Sequence, residues 1–268
     1  MERGFPGDRS RFDRLLAGPL ALYVGFVAVL VAGAFLAVTR EAVARAFTDK
    51  AVWYAAYLSL VTSVVSTALS VAFAIPSGYV MSRRRFRGWA LADAILDMPI
   101  VMPPLVMGLC VLLFFRSWIG SFIDAHVLEF VYTWRGIILV QFAVGCAYAI
   151  RVVKVGFDAL DRRYEEVAMT LGANRCQAFW KVAIPTVRPS LIAAAVICWA
   201  RIFGLFGPVL LVAGTMRFRT EVMPTSVYLE MGIGRIEVAL VIAAMMILMS
   251  AGALYALKRL GGDARLWQ

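Results

Sequence analysis

Six times between residues 18 and 257 the chain runs long and almost uncharged, over 18–38, 52–81, 94–115, 136–153, 191–213 and 236–257. About 20 apolar residues in helical form match the hydrocarbon thickness of a bilayer. No water reaches backbone N–H and C=O groups at that depth, so each run must satisfy them internally, as a helix does. The sequence therefore predicts an all-α, polytopic integral membrane protein with about six transmembrane helices. The 52–81 run exceeds what a bilayer needs, which predicts tilt, a kink near Pro76, or extension beyond the hydrocarbon.

Composition closes off a soluble fold. With 62% hydrophobic and 16% charged residues and a mean hydropathy of +0.81, a water-exposed globule of 268 residues could not hide its apolar surface. The net charge of +10 does not indicate nucleic acid, because the basic residues form no single patch interleaved with aromatics. They alternate by loop. Eighteen of the 27 Lys and Arg fall in the N-terminal segment, in 83–87, in 151–188 and in the tail. Eight fall in the intervening loops, at Arg40, Arg45, Lys50, Arg116, Arg135, Arg217, Arg219 and Arg235. Cytoplasmic loops carry the excess of positive charge, so both termini are expected in the cytoplasm. The 18–38 run is too long for a signal-peptide core and lacks a small-residue cleavage site, which predicts a retained helix. The expected organisation is a cytoplasmic segment over 1–17, a membrane domain over 18–258 with a cytoplasmic loop at about 154–188, and a tail over 259–268.

No chemistry of catalysis is legible. Cys110, Cys146, Cys176 and Cys198 have neither metal-ligand nor disulfide spacing and read as small core residues. His126, the only histidine, sits near Asp124 and Glu129 and reads as a surface residue, since no second histidine could complete a metal site. It is also the only candidate base for a serine triad. The chain has no Gly-x-x-x-x-Gly-Lys-Ser/Thr loop, so it is not expected to bind ATP in the usual way.

The longest polar interruption is the loop around Glu165 and Glu166. Residues 157–171 predict a helix with Leu160, Tyr164, Val167, Ala168 and Leu171 on one stripe and Asp161, Arg162, Arg163 and Glu165 on another. Gly172 is the expected stop, because glycine takes the left-handed C-terminal conformation without steric cost. Asn174 is a candidate N-cap for a second short helix that returns Phe179 and Trp180 towards the membrane. Pro185 is expected to close it before apolar sequence resumes at Leu191.

Glu166-Val167-Ala168, three residues, Gly172, nine residues, then Val182-Ala183-Ile184-Pro185 resembles the cytoplasmic signature of the permease subunits of binding-protein-dependent ABC importers. Val167, Val182 and Ile184 are mild apolar departures from that signature. The resemblance implies that Glu165, Glu166, Ala168, Leu171, Gly172, Ala173 and Pro185 form the element that couples to a separate ATPase subunit. An ordinary interfacial helix pair is the plainer alternative.

Two further stretches are similar to the molybdate, tungstate and sulfate class of these permeases. One is Pro99-x-x-x-Pro103-Pro104-x-Val106-x-Gly108, whose prolines free backbone carbonyls that must be buried in protein or line a watery cavity, unless they make only a simple kink. The other is the loop carrying Thr220, Pro224 and Tyr228. The likeness extends from about residue 58 to 257. It implies a substrate pathway involving Pro103, Pro104, Gly108, Arg201 and Gly204. Arg201 follows Ala200 and precedes Gly204-Leu205-Phe206-Gly207, where the family carries Gly-Glu-Phe-Gly. An arginine within a span costs about 2.5–3.5 kcal/mol, so it faces a cavity or partner, or else it snorkels from the cytoplasmic interface near Arg188.

The implied assembly is two permease copies, expected as a homodimer, two ATPase subunits holding ATP and Mg, and an extracytoplasmic solute-binding protein, all at the inner membrane. The implied cargo is an oxyanion such as tungstate, molybdate or sulfate. A permease for another small solute is the alternative. An ion-coupled secondary transporter would carry more intramembrane acids, and a membrane enzyme would need a clustered catalytic set.

Overall fold

A computed structural model of the chain describes residues 6–36, 38–85 and 87–260, with side chains described from 17 to 255 apart from residues 37 and 86. Residues 1–5 of the expected N-terminal segment and 261–268 of the expected tail lie outside the described residues. Among those described every regular element is helical. In order these are α1 (Pro6–Leu36), α2 (Arg40–Thr48), α3 (Lys50–Arg83), α4 (Trp89–Val101), α5 (Pro104–Arg116), α6 (Trp118–His126), α7 (Trp134–Ala159), α8 (Arg163–Thr170), α9 (Arg175–Ala178), a π-helical turn (Phe179–Ala183), α10 (Ile184–Phe203), α11 (Gly207–Ala213), α12 (Met223–Gly232) and α13 (Ile236–Leu260). Among the described residues five helices are long and apolar enough to cross a membrane, or six if α4 and α5 count as one broken span.

Several boundaries differ from the sequence reading, each for a local reason. The 39–50 loop contains the helix α2, started by the Thr39 hydroxyl accepting from the Ala42 amide at 3.2 Å. The Asp49 carboxylate accepts from the Ala51 amide at 2.8 Å and starts α3, which then runs unbroken through Pro76 to Arg83. The 94–115 span is not one rod. Proline at 103 and 104 breaks it, and α4 meets α5 at 112°. The 191–213 span stops at Phe203, with Gly204 as C-cap, and α11 follows as a separate short helix.

Helix α3 is the hub, and its packing is polar as well as apolar. Ser59, Thr62, Ser63, Ser66, Thr67 and Ser70 recur at helical spacing and are buried. Small side chains let neighbouring backbones approach closely, and their hydroxyls bond across helices. Ser66 donates to Gln141 Oε1 of α7 at 3.0 Å, Ser63 accepts from the Trp199 indole of α10 at 3.1 Å, and Ser59 accepts from the Met223 amide of α12 at 2.7 Å. Three apolar clusters surround this seam. One joins Ala74, Val153, Phe157, Ala183 and Val187. A second joins Val52, Trp199, Phe203 and Ile242, and a third joins Leu58, Ile137, Val140 and Val209.

Only Cys198 of the four cysteines is fully buried; Cys110 and Cys176 are exposed, so the core reading fails for them. His126 lies exposed in the last turn of α6, stacked on Phe122.

Candidate functional site

The polar loop folds as two short helices around a sharp turn. Helix α7 ends at Ala159 and α8 begins at Arg163, so the continuous helix expected over 157–171 is broken after Leu160. The break has a cause in burial. Leu160 is locked into the apolar cluster beneath, and its carbonyl accepts from Arg83 at 3.0 Å, which fixes the chain where α8 must change direction. At the far end Gly172 adopts φ +94°. Its amide bonds to the Met169 carbonyl and the Ala173 amide to the Ala168 carbonyl, satisfying two of the last carbonyls of α8. Asn174 and Gln177 then exchange side-chain to backbone bonds at 2.8 and 2.9 Å, a capping box that starts α9.

Pro185 does not end this second piece. The helix continues into α10 through the π-helical turn, in which the Ile184 amide reaches the Phe179 carbonyl five residues back. The wider turn accommodates a proline, which has no N–H to donate, near the start of α10. Phe179 does pack inward, with its ring 4.8 Å from Tyr79, whereas Trp180 remains exposed.

The two acids of the loop face different ways. Glu165 turns inward. Its carboxylate accepts from the Tyr79 hydroxyl at 2.6 Å and pairs with Arg83 at 2.8 Å, and both ion-pair side chains are only 10% exposed. Glu166 is exposed, Ala168 and Ala173 are half-buried, and Pro185 is exposed. Outward from α8 and its C-cap point Tyr164, Val167 and Leu171, at 60, 56 and 83% exposure. A turn pinned from below thus presents an apolar triad that nothing among the described residues covers.

The second group of expected residues lies deeper. Pro103 and Pro104 are exposed at the bend between α4 and α5. Gly108 is buried, and a Cβ there would come within 2.5 Å of the Pro208 backbone, so glycine permits α5 to lie against α11. Gly207 in turn approaches Leu105, which brings the proline-rich stretch and the Gly204 to Gly207 stretch together. Arg201 is exposed, its guanidinium 5.2 Å from the centre of the Tyr148 ring. It stands thirteen residues beyond Arg188 on one unbroken helix, about 20 Å along the axis. Leu205 is buried in the third apolar cluster, where a carboxylate would be desolvated without a partner.

Residues 70–261 match the family described as the binding-protein-dependent transport system inner membrane component. The chain belongs to this family. The sulfate transport system permease protein CysW of Synechococcus elongatus is 28% identical over 82% of this chain and 79% of that protein. The molybdate/tungstate transport system permease protein WtpB of Pyrococcus furiosus is 33% identical, covering 74% of this chain and 76% of its own. The molybdenum transport system permease protein ModB of Escherichia coli is 30% identical over 66% of this chain and 78% of that one. Among solved structures, a permease chain of a bacterial alginate ABC transporter, crystallised with an alginate-bound periplasmic protein, has a TM-score of 0.74 at 15% identity, covering 96% of this chain and 97% of that one. The fold is that of ABC transporter permeases, and this permease is a multi-pass inner-membrane transport subunit rather than an enzyme.

Sequence reasoning missed the clamps that hold these sites. Tyr79 and Arg83, at the end of α3, went unnoticed as partners of Glu165. On α4, Asp93 and Asp97 both pair with Arg151 of α7, at 2.7 and 2.6 Å. The signal was available: acids four apart at the edge of an apolar run, facing an arginine just inside another. Near the start of α3, Arg217 pairs with Glu230 and lies 3.9 Å from Asp49. Glu221, 1% exposed, lies close by, and its carboxyl is pushed above the ordinary range by burial, with Glu230 and Asp49 adding to the shift and Ser226 and Arg217 opposing it.

Proposed function

We propose that this permease forms the membrane pathway of an oxyanion importer as a homodimer, with both termini in the cytoplasm and α8 seated on a separate ATPase subunit that holds ATP and Mg. The observation that carries the coupling assignment is the outward triad of Tyr164, Val167 and Leu171, fixed between the Glu165–Arg83 pair and the Gly172 turn. An apolar patch on a rigid element is where a partner can transmit force, because the element moves as one body when pushed.

The charge excess in the same loop, and in the 83–87 turn, supports the cytoplasmic orientation. Arg201, exposed deep along α10, supports a pathway lined where two copies meet, since a desolvated anion there gains from a fixed cation and one six-span chain leaves that surface open. Relatives that carry sulfate, molybdate and tungstate support the substrate class. In the cycle this implies, ATP-driven closure of the ATPases draws the two α8 helices together and opens the pathway to the binding protein. Hydrolysis then returns it inward. Proteoliposomes holding the permease, its ATPase and its binding protein should take up radiolabelled tungstate, molybdate or sulfate only with ATP inside the assay's ATPase compartment. Uptake without ATP, or of none of the three anions, overturns the reading.

A further inference from the structure

Between the C-terminal end of α3 and the α8 to α9 turn lies a cavity of about 550 Å³. Its apolar side is made by Pro76, Val80 and Phe179, and its polar side by arginines from both elements. Arg83 is engaged by Glu165, and Arg162 gives one bond to the Ser82 carbonyl at 3.2 Å. The Arg84 and Arg175 guanidinium groups have no hydrogen bond or ion pair among the described residues, although both line this one space. With Glu165 matched by Arg83, the cavity sets Arg84, Arg162 and Arg175 against the single carboxylate of Glu166, which leaves a surplus of two positive charges.

Guanidinium groups that converge without an acid repel one another, and a tetrahedral anion relieves this by accepting paired N–H bonds from each. We propose that this cavity binds a phosphate-type tetrahedral anion, either the phosphodiester of an anionic phospholipid or a free oxyanion. The apolar side fits the lipid source: Pro76 and Val80 lie on a membrane-spanning helix, so a headgroup among the arginines leaves its glycerol and first methylenes against them. A bound anion ties Arg84, the C-cap of α3, to Arg162 and Arg175 on either side of the Gly172 turn, and so stiffens the coupling loop against the membrane domain. The site does not depend on which solute the permease carries.

Cys176 is exposed on the cavity wall and reports occupancy. In the assembled transporter carrying Cys110→Ser, alkylation by the neutral reagent N-ethylmaleimide is followed in nanodiscs of phosphatidylcholine alone, with phosphatidylglycerol added, and with inorganic phosphate added. Phosphatidylglycerol should slow the reaction at Cys176, and R84Q with R175Q should abolish most of that slowing by weakening binding about thirtyfold, the product of two surface arginine contributions. Slowing by phosphate in neutral nanodiscs assigns the site to a soluble anion, and slowing by phosphatidylglycerol alone assigns it to lipid. Equal rates under all three conditions, as expected if the partner ATPase fills the cavity, overturn the proposal. So does slowing that survives both substitutions.

Discussion

At the scale of single residues, burial and not residue type divides the acids by role. Glu165 is a strut, because it is nearly enclosed and bound to both Tyr79 and Arg83. Removing its charge leaves Arg83 buried without a counter-ion, so Glu165→Gln should loosen the loop by about 3 kcal/mol, the usual cost of breaking a buried pair. Hydrogen exchange over residues 160–175 measures it, and unchanged protection would show that the pair holds nothing. Arg201 makes the opposite case: exposed, and with the Tyr148 ring as its one side-chain partner among the described residues, it contributes little to the fold. Arg201→Leu should therefore leave expression and assembly intact, since the leucine removes an insertion cost of about 2.5–3.5 kcal/mol, while lowering anion uptake. Arg201→Lys should keep part of the uptake through its point charge. Full uptake by the leucine variant would take Arg201 out of the pathway. Glu221 gives a pH test. Its folded pKa is raised above the ordinary 4.5, so between the two values the folded state holds a proton that the unfolded state has lost, and its stabilising effect fades as pH rises through the shifted value. Glu221→Gln, which mimics the protonated form, should match the wild-type melting temperature at acid pH and exceed it once pH has risen well above 4.5. Parallel melting curves across that range would contradict the shift.

At the scale of elements, the sequence made legible whatever depends on local spacing and hid whatever depends on a distant partner. Gly172 as a left-handed stop and Asn174 as a cap were readable, because a turn is determined by the residues that form it. The break after Leu160 was not, because it depends on Arg83 reaching across from another helix. Six apolar runs could be counted, yet the 112° bend at Pro103 and the end of α10 at Gly204 turned two of them into broken pieces. Hydropathy measures whether a segment belongs in the bilayer region and is blind to the direction in which it travels. The serine stripe of α3 was hidden for the same reason: hydroxyls at helical spacing inside an apolar run become meaningful only when Gln141, Trp199 and Met223 are beside them. The turn itself is testable. Valine at position 172 must hold φ near +94°, which costs about 1–2 kcal/mol or more for a β-branched residue. Gly172→Val should insert in the membrane normally but lose ATPase copurification, and normal copurification would mean that the turn is not needed for docking.

At the scale of the whole molecule, the parts form one lever. Helix α3 crosses the membrane domain and ends at Arg83, where the Glu165 pair joins it to α8. In its N-terminal half Ser59 holds the start of α12, and Trp199, bonded to Ser63, stands two residues before Arg201. In the proposed coupling, a push on α8 would reach α10 through these packed and hydrogen-bonded side chains. In the proposed docking the apolar triad is dried by the ATPase, and a carboxylate at its most exposed member would have to be desolvated on binding. The most direct measurement is the stimulation of ATP hydrolysis by loaded binding protein in proteoliposomes, comparing wild type with Leu171→Asp. The wild-type complex should show stimulation, and the Leu171→Asp complex should show none although its permease inserts and melts normally. Equal stimulation in both would contradict coupling through this face of α8.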